Sequence, residues 1–190
     1  QYKNYFASQG VELELQNSAG SVENLSRLKR GDKVHVAFMQ GGIGDTKSNP
    51  GLLALGSVYY EPVWVFVRGN PNASRLTELK GKRIAVGAPG SGTRAVAVQL
   101  LSDNGINEVT ATLLNRGSAE AVKGLISGAL DAAIIVTSVN SATVKKLMSM
   151  PNISLMSFDR AEAYLRRTNY LSRVVLPEGT IDLAANYPPR

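Results

Sequence analysis

Hydrophobic and polar positions along this chain change period repeatedly. "VELELQ" (11–16) alternates strictly, as a strand with one buried face does. "SAGSVENLSRLKRG" (18–31) then reads as turn, helix and glycine stop. Val22, Leu25 and Leu28 share one helical face, and Ser21 and Asn24 stand where capping residues belong. "KVHVAFMQGG" (33–42) predicts a strand ending in glycines, and 52–69 a long extended stretch broken at Pro62. Strands are then expected over 82–88, 108–115, 131–137, 152–158 and 170–176. Helices are expected over 91–105, 118–128, 141–150 and 159–167. This βα alternation argues for an α/β protein with parallel sheets and right-handed crossovers. Uninterrupted apolar runs such as "AAIIV" suit sheets covered on both faces. "VYYEPVWVFVRG" looks like a segment crossing between two bodies, so two small doubly wound lobes fit better than one sheet. Tyr59, Tyr60, Trp64 and Phe66 concentrate the aromatics there.

Composition narrows this picture. The 190 residues make one domain or two lobes, and 44% hydrophobic content supports a sizeable core. No apolar run approaches the roughly 18 residues that span a bilayer. No signal peptide is visible in the polar opening "QYKNYFASQG". Zero cysteines exclude disulfides, thiolate metal sites and cysteine nucleophiles. A net charge of +6 favours acidic partners. The basic residues are scattered, however, in "RLKR", "KGKR", "KK" and "RR", without interleaved aromatics, so no nucleic acid is expected as a partner.

The chemistry-bearing stretch is "VGAPGSGTRAV" (86–96), where a β-branched run meets a helix through a small-residue turn. Glycine lets a ligand approach the backbone, the first amides of a helix lack intrahelical partners, and the macrodipole favours an anion there. The hydroxyls of Ser91 and Thr93 can add contacts, and Arg94 is unfavourable in a first turn without an acidic partner. The same residues also suit an ordinary capped helix. No lysine completes a Walker loop, and Ala95 stands where the dinucleotide fingerprint needs glycine. "NSAGSVEN" (17–24), "QGGIGD" (40–45) and "VTSVNS" (136–141) end or begin elements similarly, and four such loops can converge on one cleft. Catalytic options are thin. The single histidine, His35, lies within the strand pattern 33–42 and reads as a half-buried strand residue. Asp45 and Glu61 are the carboxylates nearest the ligand loops but form no pair. No metal cluster and no cofactor motif is evident.

"GSVENLSRLKRGDKVHVAFMQGG", "YYEPVWVFVRG", "KGKRIAVGAPGSGTRAVAVQLL" and "LPEGTIDLAANYPP" together resemble the TAXI-type solute receptors of TRAP transporters. The resemblance implies the two-lobed type II periplasmic-binding-protein fold and an extracytoplasmic protein that captures a small anionic organic molecule, a carboxylate or an amino acid such as glutamate. The ligand would pass to membrane permease subunits with no chemistry performed. Lobe one would comprise 1–62 with 168–190, and lobe two 63–167. By this resemblance Ser18, Gly20, Ser21, Gln40 and Gly41 meet the ligand from lobe one. Ser91, Gly92 and Thr93 hold its carboxylate from lobe two. Tyr60 and Glu61 lie on the crossing strands, and Val136 with Thr137 lines the far wall. Family members begin with a strand, a glycine-rich loop and a long helix, whereas "YKNYFASQG" looks like that helix's end and "NYPPR" stops before a closing strand. Lobe one is therefore expected to lack its first and closing strands, exposing sheet edges that oligomerisation or further sequence would cover. A sensory or regulatory domain of a larger protein, or an enzyme such as a phosphoribosyltransferase, are the alternatives. The latter requires clustered carboxylates that the sequence does not offer.

Overall fold

The computed structural model describes residues 2–45, 47–184 and 186–188. Gln1, Thr46, Ala185, Pro189 and Arg190, and with them the tips of "QYKNYFASQG" and "NYPPR", lie outside the described residues. The chain builds one five-stranded sheet from β1 (Val63–Arg68), β2 (Arg83–Ala85), β3 (Thr112–Leu114), β4 (Ala132–Val136) and β5 (Ile153–Leu155). Strand order is β3-β2-β4-β1-β5. β2 pairs in parallel with both β3 and β4, while β1 runs antiparallel to β4 and β5. The sheet is thus mixed rather than wholly parallel, because "VWVFVR" enters between β4 and β5 in the opposite sense.

Helices cover both faces, which explains the unbroken apolar strands. Residues alternate sides along β1 and β4. Val65, Val67, Ala132 and Ile134 join one apolar cluster with Val96, Ala97, Leu100 and Leu101 of α3 (Gly92–Asp103). Trp64, Phe66, Ala133 and Ile135 join the other, with Val122 and Leu125 of α4 (Ser118–Ser127) and Val144 and Leu147 of α5 (Ala142–Met148). Val65 and Phe66 are fully buried, and each large side chain so placed contributes about 1.5–3 kcal/mol. Trp64 Nε1 donates to the Thr137 carbonyl at 2.8 Å, satisfying the one polar atom on this apolar row. α6 (Ala161–Arg167) packs back through Tyr164, whose hydroxyl donates to Asn104 Oδ1 at 3.0 Å.

Residues 2–62 behave differently. They carry α1 (Tyr2–Ser8) and α2 (Ser21–Arg30), the latter closed by Gly31 at φ 67°, and no strand among the described residues. The expected strands over 11–16, 33–42, 52–62 and 170–176 are not formed, since no described segment lies beside them as a ladder partner. A strand pattern supplies propensity, but the hydrogen bonds come from a neighbour. Val36 and Phe38 stay 70% and 62% exposed, and His35 is exposed outside any strand rather than half-buried within one. In the sheet itself the expected elements appear but are shorter, as with β3 at 112–114 rather than 108–115.

Arg83 and Asp131 clamp the starts of β2 and β4. The guanidinium donates through Nε to Asp131 Oδ2 at 3.0 Å and through Nη2 to Oδ1 at 2.7 Å, and the Arg83 amide adds a bond at 2.9 Å. Chiefly through the Arg83 side chain, the Asp131 carboxyl is lowered from 3.8 to about 2. The folded state therefore holds this proton more weakly than the unfolded chain. The stabilisation is complete above about pH 4 and disappears as the pH falls through about 2. In thermal denaturation, Asp131→Asn should lower Tm at neutral pH and flatten the decline of Tm over this acid window. Parallel curves for the two proteins would mean the clamp is energetically silent.

Candidate functional site

The helix α3 begins where the chain leaves β2, and small residues shape the turn. Gly87 has φ 94°, and a Cβ there would lie 2.8 Å from the Arg94 amide nitrogen, so only glycine lets the strand exit pass the helix start. Ser91 is the N-cap, its Oγ accepting from the Arg94 amide at 3.2 Å and donating to the Ala88 carbonyl at 2.7 Å. The amides of Gly92 and Thr93 keep no partner inside the helix. Beside them starts α4, whose N-cap Gly117 offers no side-chain cap, leaving its first amides equally open.

These two helix starts border a cavity of 190 Å³ lined by Ser91, Thr93, Arg116 and Ser118, with Ile134 and Ile135 at its base. The site lies where the connections after β2 and β4 depart in opposite directions, the switch point at which open α/β sheets bind ligands. Its polar lining supplies hydroxyls, amides and the Arg116 guanidinium, which also reaches Glu120 at 3.4 Å, so the open amides of the helix starts are its main complement to an anion. Arg94 does not point its charge here. Its Nη1 donates to Asn115 Oδ1, a neutral acceptor rather than the acidic partner that a cation in the first turn calls for.

Residues 19–61 close against the same helix start. A Cβ on Gly20 would sit 3.0 Å from Ser91 Cα, and the Val22 amide donates to the Gly90 carbonyl at 3.3 Å. Gln40 lays its side-chain amide over Gly92, where a Cβ would meet Oε1 at 1.9 Å. The Gln40 backbone amide donates to Ser21 Oγ at 3.0 Å, and Nε2 donates to Glu61 Oε2 at 2.9 Å. Gln40 Oε1 is buried without any donor.

The structure therefore brings Gly20, Ser21, Gln40, Glu61, Ser91 and Gly92 into one contact, with Thr93 in the adjoining cavity. Five others lie elsewhere. Ser18 is exposed, and Tyr60 is 77% exposed. Gly41 packs under Tyr170, whose hydroxyl burial holds its pKa above the usual phenol value. Val136 pairs with Val63 at the end of β4, and the Thr137 carbonyl is taken by Trp64. Asp45 accepts from Ser48 and Lys47 within its own turn, the Ser48 amide foremost in lowering its carboxyl. Among the described residues no group of His, Asp and Glu has the arrangement of a metal site. Sequence reading overlooked Arg116, Gly117 and Ser118. "NRGSAEAV" has the same glycine-serine entrance to a helix as 90–93, and that signal was available.

Comparison with known proteins bears on this arrangement. The model of the NMT1-like family matches residues 2–186. The chain belongs to the NMT1-like family. Among solved structures it is similar to an ancestral arginine-binding protein bound to arginine, at 18% identity and TM-score 0.57, covering 87% of this chain and 75% of that one. It is likewise similar to PhnD1 from Prochlorococcus marinus in complex with methylphosphonate, at 13% identity and TM-score 0.57, covering 82% and 63%. The alkanesulfonate-binding protein SsuA from Xanthomonas axonopodis pv. citri bound to MOPS matches at 20% identity and TM-score 0.51, covering 84% and 54%. The chain thus spans less than two thirds of the length of the latter two. At these identities the likeness is one of fold, the mixed α/β architecture of type II periplasmic binding proteins. Two of these neighbours are named as binding proteins, for arginine and for alkanesulfonate, and the third holds methylphosphonate.

Gly92 is the most sterically constrained position at the contact. Gly92→Ala should push Gln40 off the helix start. By native-state hydrogen exchange, the Val22 and Gln40 amides should then lose roughly tenfold or more of their protection, while Val65 and Phe66 keep theirs. Unchanged protection at Val22 and Gln40 would show that the contact tolerates a methyl group.

Proposed function

We propose that this protein is an extracytoplasmic solute-binding receptor of the TAXI type. It captures a small anionic molecule, a carboxylate or amino acid, between lobe one (1–62 with 168–190) and lobe two (63–167). It then presents the ligand to the permease subunits of a TRAP transporter, and it performs no chemistry itself. The observation that supports this best is the pair of helix starts, α3 with its Gly92 and Thr93 amides free of intrahelical partners and α4 with no side-chain cap, facing a cavity of about 190 Å³ beside the contacts of Gly20 with Ser91 and of Gln40 with Gly92. Unpaired amides at two helix N-termini attract negative charge without demanding a particular side chain. Membership of the NMT1-like family and the binding-protein fold agree with a receptor. Motion of 19–61 against 90–93, about the crossing segment that holds Glu61, would open and shut the cleft.

Calorimetry with mono- and dicarboxylates and acidic amino acids tests the reading. Binding by at least one is expected, weakened tenfold or more by Thr93→Trp with Tm retained; silence across carboxylates of every size overturns it. A second copy of the chain is proposed to cover the apolar side chains left exposed around Val36, Phe38, Leu53 and Leu55. Light scattering should report a mass above that of the 20.3 kDa monomer, and a monodisperse monomer would remove this part of the proposal.

A further inference from the structure

The loop that begins at Gln40 is held from a second side, away from the α3 start. Gly41 and Gly42 lie under Tyr170. A Cβ on Gly42 would fall 2.7 Å from both Cε1 and Cζ of the tyrosine ring, and one on Gly41 would fall 3.1 Å from the tyrosine Cβ. Gly42 also has φ 83°, so glycine serves both the turn and the close approach. The contact runs through ring carbons rather than the hydroxyl. Tyr170 itself is rooted in the sheet body. Its neighbour Leu171 packs on the apolar cluster that contains Leu100 and Leu101, and Thr168 Oγ1 donates to the Tyr164 carbonyl at 2.7 Å. Between the loop and the flank of α3 there is instead open space, a cavity of about 390 Å³ lined by Gly41, Gly42 and Ile43 together with Ala95, Gln99 and Asp103.

What holds this loop also holds α2. The Gln40 amide donates to Ser21 Oγ at 3.0 Å, Asn24 Nδ2 donates to the Phe38 carbonyl at 2.8 Å, and Gly44 packs against Leu25. Residues 19–44 are thereby tied into one piece that meets the sheet body both at the α3 start and under Tyr170. Resting on the receptor reading, we infer that Tyr170 is a positioning residue: its ring, seated on Gly41 and Gly42, keeps 19–44 against the α3 start and sets the fraction of molecules in the shut form. Tyr170 is not among the residues that line the cavity between the α3 and α4 starts. It acts through Gly41 and Gly42 on Gln40, whose side-chain amide covers Gly92. Apparent affinity scales with the fraction of molecules competent to bind, so loosening this latch weakens every ligand by the same factor and leaves selectivity unchanged.

The test needs no ligand. The chain has no cysteine, so Lys29→Cys on α2 and Ser102→Cys on α3 give a unique pair of spin-label sites at exposed positions. Pulsed electron-spin distance measurements are then compared for Tyr170, Tyr170→Phe, Tyr170→Leu and Tyr170→Ala. The parent and Tyr170→Phe should share one short distance, because phenylalanine keeps the ring carbons. Tyr170→Ala should add a longer-distance population of roughly 10% or more, and Tyr170→Leu, which lacks the far edge of the ring, a smaller one. Hydrogen exchange at the Val65 and Phe66 amides should stay unchanged in all four. Identical distances throughout would overturn the assignment, as would a shift in Tyr170→Phe equal to that in Tyr170→Ala. Lost protection at Val65 and Phe66 would overturn it too, by showing that Tyr170 serves the core as a whole. Silence of the carboxylate panel would remove the receptor reading and leave the measured distances, and the latch they report, intact.

Discussion

Two ladders meet on β1, and the rest of the structure depends on them. Val63–Val67 pair with β4, and Phe66–Arg68 pair with β5, so this strand is held along both sides. Because its side chains alternate between two apolar clusters, one six-residue segment joins the α3 layer to the α4–α5 layer. Those layers in turn fix the starts of α3 and α4 relative to each other. The cavity between them is lined by the two helix starts and their preceding loops together with Ile134 and Ile135 of β4. β1 also continues directly from Glu61 and Pro62, so the segment that crosses toward 19–42 is anchored in the most buried part of the molecule.

Much of the sheet was legible in the sequence for a local reason. "VWVFV" and "AAIIV" are apolar without interruption because both faces are covered, and no other environment tolerates such runs in a short segment. Helix caps were legible only in part: Ser21 and Asn24, expected to cap α2, do not, because Gly20 is its N-cap, Ser21 Oγ accepts the Gln40 amide and Asn24 donates to the Phe38 carbonyl. Ser91 and Ser141 both accept from the first turn, as their place before an apolar helical pattern implies. "VELELQ" and "KVHVAF" misled because alternation records only what a strand would bury, and pairing is decided by which segments lie alongside. The direction of β1 was hidden for the same reason, since nothing within "VWVFVR" encodes the sense of its neighbours.

The candidate site was legible in pieces and not in its assembly. Ser91, Gly92 and Thr93 announced themselves through glycine and hydroxyl chemistry at a helix entrance. That Gln40 would rest on Gly92, and that Glu61 would fix the sense of its amide, depends on three segments far apart in the chain. Arg116 and Ser118 shared the chemistry of the first loop but became relevant only when α4 came to lie beside α3. Reading loops one at a time cannot reveal which helix starts will be neighbours.

The contact between Gly20 and Ser91, and the bond from Val22 to Gly90, are made by main-chain atoms. Contacts of this kind do not depend on the identity of neighbouring side chains. Arg116, Ser118 and Thr93 line the cavity without taking part in either contact, so a change at any of them alters the cavity wall and leaves that main-chain joint in place.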